Sequence, residues 1–132
     1  MLTKSWMVSL ALAGSLALVC WAVPASAQGD SDAGQTVFAQ KCAACHTTEA
    51  GGAHHLLGPN LRGVVGRSAG TVEGWDFSAA LQATKVDWDE ENLNKWLTDP
   101  AVFASGTPME MKVPDRFERE DLIAYLESVA EE

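Results

Sequence analysis

The pattern of apolar and polar positions predicts short helices joined by loops. Near the end of the chain, apolar residues recur at intervals of three and four, the spacing that places side chains on one helix face. This stripe consists of Leu122, Ile123, Tyr125, Leu126 and Val129. Asp115 is followed three residues later by Glu118, a pattern typical of helix starts. We therefore expect the last helix to begin near Asp115.

Two further helices are predicted upstream. The stretch from Ala33 to Lys41 forms the first. Another should begin at Asp87, which forms a capping-box-like pattern with Glu90, and should stop at Pro100. Its apolar face comprises Leu93, Trp96 and Leu97.

The region from His46 to Thr71 has the composition of a loop. Glycine recurs through it, and glycine punctuates regular structure and permits positive φ. These glycines include Gly51, Gly52, Gly58, Gly63, Gly66 and Gly70. Because no strand pattern of convincing length occurs elsewhere, the predicted fold class is all-α.

The first 27 residues resemble an export signal. Lys4 precedes an apolar run over 7–23, and the small residues of 25–27 form a cleavage pattern. Cleavage after Ala27 would leave one domain over 28–132 in the periplasm. An uncleaved anchor is the alternative, although the run is short and weakly apolar for a stable membrane span.

Charge limits the possible partners. The full chain has a net charge of −9, and removing the signal would take away Lys4 and no acidic residue, giving −10. Such acidity argues against binding to nucleic acid or to anionic membranes.

A chain of this length builds only a modest core, so a buried cofactor would supply apolar mass. We expect a monomer.

The most specific motif is Cys42-Ala43-Ala44-Cys45-His46. Two thiols at this spacing reach the two vinyl groups of a haem, and the following histidine can ligate the iron, as in c-type haem attachment. A zinc half-site would need a second ligand pair, and the remaining cysteine, Cys20, lies in the expected signal. A thioredoxin-like dithiol would need a βαβ pattern, which is missing.

The second axial ligand of such an iron has four candidates. His54 and His55 follow His46 so closely that we interpret both as loop or surface histidines. Met109 and Met111 lie in an irregular segment far enough along the chain to reach the other haem face. Methionine ligation would give an electron carrier with a raised potential, whereas an open position would suit gas binding or peroxide chemistry.

Six stretches together resemble class I cytochromes c, of the mitochondrial and bacterial c2 type, over nearly all of 28–132. They are Cys42–Thr47, Gly58–Gly63, Val65–Arg67, Trp88, Gly106–Met109 and Asp121–Leu126. The resemblance implies a small helical fold around one haem c, bonded covalently through Cys42 and Cys45. It also implies that His46 and Met109 ligate the iron.

Further roles follow from the same resemblance. The Pro59 carbonyl would accept a hydrogen bond from the second ring nitrogen of His46 and fix its orientation. Arg67 and the Trp88 indole would lie near a haem propionate, where a buried carboxylate needs charge or donors. Thr107 would belong to the haem-binding residues.

The chain departs from the family at some positions. Met111 stands where an aromatic residue often covers the haem, which makes it the alternative ligand if the loop register shifts by two. The family's basic ring around the haem edge is mostly missing, and Lys41 remains beside Cys42. The resemblance also implies that Gly34 and Phe38 on the first helix cross Leu122 and Tyr125 on the last, where the glycine would allow close approach.

The function implied is a soluble monohaem electron carrier rather than an enzyme. Its partners would be redox proteins: a bc1-type complex, an oxidase, a reaction centre or a periplasmic dehydrogenase. A haem peroxidase, a nitric-oxide-handling domain and a gas sensor are the alternatives, and each would need an open or labile iron position.

Overall fold

The computed structural model describes residues 29–54 and 57–131, which contain five helices. They are α1 (Ser31–Lys41), α2 (Ala79–Thr84), α3 (Glu90–Thr98), α4 (Pro100–Phe103) and α5 (Arg116–Glu131). In these residues, bridges between extended segments are limited to Thr47 with Asn60 and Ser68 with Asp87. The all-α class is confirmed. The expected signal and His55 lie outside the described residues.

The most extensive contact between helices joins α1 to α5. A Cβ atom on Gly34 would lie 1.9 Å from the Asp121 carbonyl oxygen, so a larger residue would force the helices apart. Beside this crossing, the ring centroids of Phe38 and Tyr125 are 5.4 Å apart. The close approach expected at Gly34 is confirmed.

Two of the predicted helix starts are displaced by two residues. α1 begins at Ser31, because the Asp30 carboxylate caps the backbone N–H groups of Asp32 and Ala33. α3 is capped by Asp89, not by Asp87 as predicted, and the Asp89 carboxylate accepts from Asn92 N at 2.7 Å.

Asp87 cannot serve as that cap because it is engaged elsewhere. Its backbone pairs with Ser68 in an antiparallel bridge, and its carboxylate accepts a hydrogen bond from the Ser68 hydroxyl. The last helix begins as expected: the Asp115 carboxylate accepts from the N–H groups of Phe117 and Glu118 at 2.8 and 3.0 Å.

Two short helices were not predicted. α2 has six residues, of which only Leu81 is buried, so it carries no periodic pattern. Pro100 follows the end of α3, as predicted, but it also begins α4, where proline suits the first helical turn. The Asp99 carboxylate caps α4 through the N–H groups of Ala101 and Val102.

Within the described ranges, no helix is both long and apolar enough to cross a bilayer.

Candidate functional site

The helices and loops enclose a cavity of about 440 Å³. This volume falls within the range of about 300–1,000 Å³ that is typical of small-molecule and cofactor sites. Much of its wall is also the hydrophobic core. The buried apolar residues that line it are Val64, Leu81, Trp88, Leu93, Trp96, Leu97, Leu122 and Leu126.

The cysteine motif lies where α1 ends against this cavity. Cys42 N donates to the Phe38 carbonyl, and a turn follows in which Cys45 N and His46 N donate to the Cys42 carbonyl at 3.0 and 2.9 Å. This turn places both sulfur-bearing side chains and the imidazole on the cavity wall. Cys42 is buried, Cys45 is exposed and His46 is half-buried.

Two neighbours fix the His46 imidazole. Its Nδ1 lies 2.9 Å from the Pro59 carbonyl oxygen, so Nδ1–H donates and Nε2 carries the lone pair that can bind a metal. The hydrogen bond expected between these residues is present. The ring also lies against Gly58, where a Cβ atom would be 2.6 Å from His46 Cε1.

Burial governs the electrostatics of the lining. It raises the pKa of the Cys42 thiol to about 11, although the positive charge of Lys41 acts in the opposite direction. Partial burial lowers the pKa of the Arg67 guanidinium. That guanidinium donates long hydrogen bonds, of 3.4 and 3.5 Å, to the carbonyls of Asn60 and Arg62.

The segment between α4 and α5 brings both candidate methionines to the cavity. Met109 is half-buried and packs against the core, whereas 46% of Met111 is exposed. The segment turns because Thr107 N donates to the Ala104 carbonyl at 3.0 Å. Met109 N in turn donates to the Thr107 hydroxyl at 3.4 Å.

Arg119 holds the far end of this segment, and sequence reasoning missed it. The side chain is buried, and it donates to the carbonyls of Val113 and Pro114, both at 2.8 Å, and to Asn94 Oδ1 at 2.6 Å. A sequence signal existed, because Arg119 stands three residues before Leu122, on the apolar face of α5.

His54 and Asn60 hold the glycine-rich loop, and neither contact was predicted. His54 Nδ1 accepts from Asn60 N at 3.0 Å, and its Nε2 donates to the Glu73 carbonyl at 2.8 Å. The buried Asn60 amide donates to the carbonyls of Glu49 and Ala53. His54 does not line the cavity, in agreement with its interpretation as a loop histidine.

The eight residues that the resemblance assigns to the haem site all line this one cavity. They are Cys42, Cys45, His46, Pro59, Arg67, Trp88, Thr107 and Met109. The donor set of two thiols, one imidazole and one thioether beside apolar walls fits a haem. In residues 29–54 and 57–131, no cluster of three or more histidine, cysteine or acidic side chains could hold a metal ion. A zinc site therefore gains no support there.

Comparisons with known proteins agree with this geometry. The family model for cytochrome c matches residues 31–130. Cytochrome c of Guizotia abyssinica is 43% identical over 103 residues, which cover 76% of this chain and 90% of the relative. Cytochrome c of Cannabis sativa is 44% identical over 101 residues, which cover 74% of this chain and 88% of the relative.

A solved structure is similar as well. The structure of cytochrome cH from Methylobacterium extorquens matches with a TM-score of 0.68 and 41% identity, over 76% of this chain and 99% of that one. Proteins of this family carry electrons and are not enzymes. The chain belongs to the cytochrome c family, and it carries electrons on one haem c bonded covalently through Cys42 and Cys45.

Proposed function

We propose that the haem iron of this protein is ligated by His46 and Met109, and that the protein shuttles single electrons between redox partners. The observation that carries the proposal is the convergence of both side chains on the cavity that holds the two cysteines. A bound haem supplies an iron that gains or loses one electron, and methionine ligation raises its potential.

The surroundings of Met109 favour it over Met111. Met109 packs against the core, and the Thr107 hydroxyl accepts a hydrogen bond from its backbone N–H. A ligand held in this way needs little reordering to reach the iron, whereas Met111 is largely exposed.

Polar residues of the lining would serve the haem carboxylates. We assign Arg67 and Trp88 to the neighbourhood of a propionate, and we count Thr107, which lines the same cavity, among the haem-binding residues. Arg67 is half-buried, and among the described residues it donates only long hydrogen bonds to carbonyls, so a nearby carboxylate would stabilise its charge. Trp88 is buried between the rings of Trp96 and Phe103, 5.5 and 5.7 Å away between centroids.

Methionine substitutions test the ligand assignment. Met109→Ala should abolish the weak sulfur-to-iron charge-transfer band, lower the reduction potential and let carbon monoxide bind the reduced protein. Met111→Ala is the matched control and should leave all three properties unchanged. The reverse result would move the ligand by two residues. Carbon monoxide binding to the wild type would instead indicate an open iron, as in a peroxidase or gas sensor.

We also propose that residues 1–27 direct export and that the mature domain, 28–132, acts in the periplasm as a monomer. The small-residue pattern of 25–27 supports cleavage there, and a similar structure is that of a bacterial cytochrome. Mass spectrometry of the protein from a periplasmic extract should find Gln28 at its N-terminus. A chain that retains Met1 would indicate an anchor instead.

The partners would be redox proteins such as a bc1-type complex, an oxidase, a reaction centre or a periplasmic dehydrogenase. Family membership supports this class of partner, because an electron carrier needs a donor and an acceptor. Electron transfer requires only a transient encounter, so the docking surface can be small.

A further inference from the structure

Several side chains that line the haem cavity are exposed to solvent, and they are apolar or acidic. Leu57, 68% exposed, and Met111, 46% exposed, both belong to the cavity lining. Asp76 and Glu110 line the same cavity and are exposed as well. We call these four residues the rim. Among the described residues, neither rim carboxylate has an ion-pair partner.

Basic residues near the rim are already engaged. Lys41 is half-buried, and its Nζ lies 3.3 Å from a carboxylate oxygen of Glu118. It therefore does not present the lone positive charge that the sequence suggested beside the haem. Arg67 is half-buried, and its guanidinium donates hydrogen bonds to backbone carbonyls. Lys112, next to Met111, forms an ion pair with Asp99.

We propose that the rim is the docking surface for a redox partner that is basic around an apolar centre. This inference rests on the proposed function. The uncompensated charges of Asp76 and Glu110 would attract lysine and arginine side chains and orient the encounter. Leu57 and Met111 would then meet the apolar centre and exclude water from the haem edge.

Small redox reagents can probe this local charge without a known partner. The reduced protein is mixed with tris(phenanthroline)cobalt(III), a trication, or with ferricyanide, a trianion. One electron passes from the protein to the reagent, so the protein is oxidised and the reagent becomes cobalt(II) or ferrocyanide. For each reagent, the rate at low salt is divided by the rate at high salt. We expect this ratio to be larger for the trication than for the trianion.

Charge reversal locates the effect. The double variant Asp76→Lys, Glu110→Lys should lower the low-salt ratio of trication to trianion rates by on the order of tenfold. The control Glu49→Lys, Glu127→Lys makes the same change in net charge at exposed acids outside the cavity lining, and should change the ratio far less. Reduction potentials of all variants are measured so that driving force can be corrected.

Each outcome decides the inference. Equal shifts in both double variants would show that net charge acts rather than the rim, and would overturn it. A wild-type protein whose reaction with the trianion, rather than with the trication, is accelerated at low salt relative to high salt would overturn it as well. A protein that carries covalent haem but exchanges electrons with neither reagent would overturn the proposed function, and the rim would then have no redox partner to receive.

A binding measurement provides a second readout. Hexaamminechromium(III) is a paramagnetic trication that can be added without electron transfer. It should broaden the amide NMR signals of Asp76 and Glu110 at low concentration, and the rim double variant should lose this broadening while the control retains it. Unbroadened rim signals in the wild type would contradict the inference, even if broadening occurred at the acidic cluster of Asp89, Glu90 and Glu91.

Discussion

At the scale of single residues, Gly58 shows how a missing side chain positions an imidazole. A Cβ atom there would lie 2.6 Å from His46 Cε1 and 2.6 Å from the Cys45 carbonyl oxygen. The ring therefore rests directly on the backbone, while the Pro59 carbonyl holds its Nδ1. Backbone and ring fit together only because residue 58 has no side chain.

Gly58→Ala should displace the His46 ring. We expect a shifted haem absorption spectrum and a loss of about 1–3 kcal/mol in the free energy of unfolding, as is typical of overpacking. Denaturant titration and absorption spectroscopy measure both. Gly52→Ala is the control, because φ is +78° there but nothing lies within 4 Å of the added Cβ. It should reduce stability without changing the spectrum, and an unchanged spectrum for Gly58→Ala would contradict this account.

Asp99 should make stability depend on pH. The hydrogen bond from Lys112 is the main reason that the pKa of this carboxyl lies below its ordinary value of 3.8. Because the pKa is lower in the folded protein, Asp99 stabilises the fold above that value and loses its contribution as the pH falls below it. Asp99→Asn should therefore be less stable than the wild type at neutral pH, and the difference should shrink on acidification.

Urea titrations of the two proteins across the acidic range measure this difference. Lys112→Gln removes the other partner and should give the same trend. A stability difference that does not change with pH would show that Asp99 acts through its uncharged cap contacts alone.

At the scale of elements, local signals predicted the start of α5 but missed the local cap Asp30, which starts α1 two residues earlier than expected. The apolar stripe and the Asp115 cap placed the start of α5, because both act within one helix. The predicted start of α3 was wrong by two residues, because Ser68, which is distant in sequence, forms a bridge with Asp87 and donates a hydrogen bond to its carboxylate. α2 and α4 are too short to show periodicity, and their caps are single residues in loops.

Cap substitutions test the corrected start of α3. Asp89→Ala should lower the free energy of unfolding by about 1 kcal/mol, because Asn92 N loses its acceptor. Asp87→Ala should have a smaller effect, since it removes only the exposed hydrogen bond that the Ser68 hydroxyl donates to the Asp87 carboxylate. Thermal and denaturant unfolding of both variants measure the difference. A larger loss for Asp87→Ala would return the cap to that position.

At the scale of the whole molecule, the sequence predicted residues that line one cavity and the Pro59 contact that holds His46, but it missed other contacts that hold the surrounding loops. The cysteine motif and the methionine segment could be identified from the sequence as candidate haem-binding segments because their chemistry is rare. The contacts of His54, Asn60 and Arg119 were not, because each joins segments that meet only in the folded chain. A polar residue on an apolar stripe, as at Arg119, was the only hint.

The net charge of −9, or −10 after removal of the expected signal, should govern encounters with partner proteins. With a basic partner, electron transfer should slow as salt rises from 0.01 to 0.1 M, because the Debye length shrinks from about 30 to about 10 Å. With an acidic partner, screening removes repulsion, so the rate should rise or stay nearly constant. Stopped-flow kinetics across this range would show which holds.

Fast transfer to an acidic partner that salt strongly suppresses would contradict this prediction. It would mean that a local basic patch outweighs the charge of the whole molecule.

The sharing of core residues with the cavity wall has a consequence for maturation. Leu93, Trp96, Leu97 and Leu122 are buried against the space that the haem fills, so an unloaded chain would leave their inner faces to water. We expect such a chain to stay loosely folded and to be degraded by proteases. Only chains that have received their haem would then persist, so proteolysis of the unloaded chain would remove copies that cannot carry electrons.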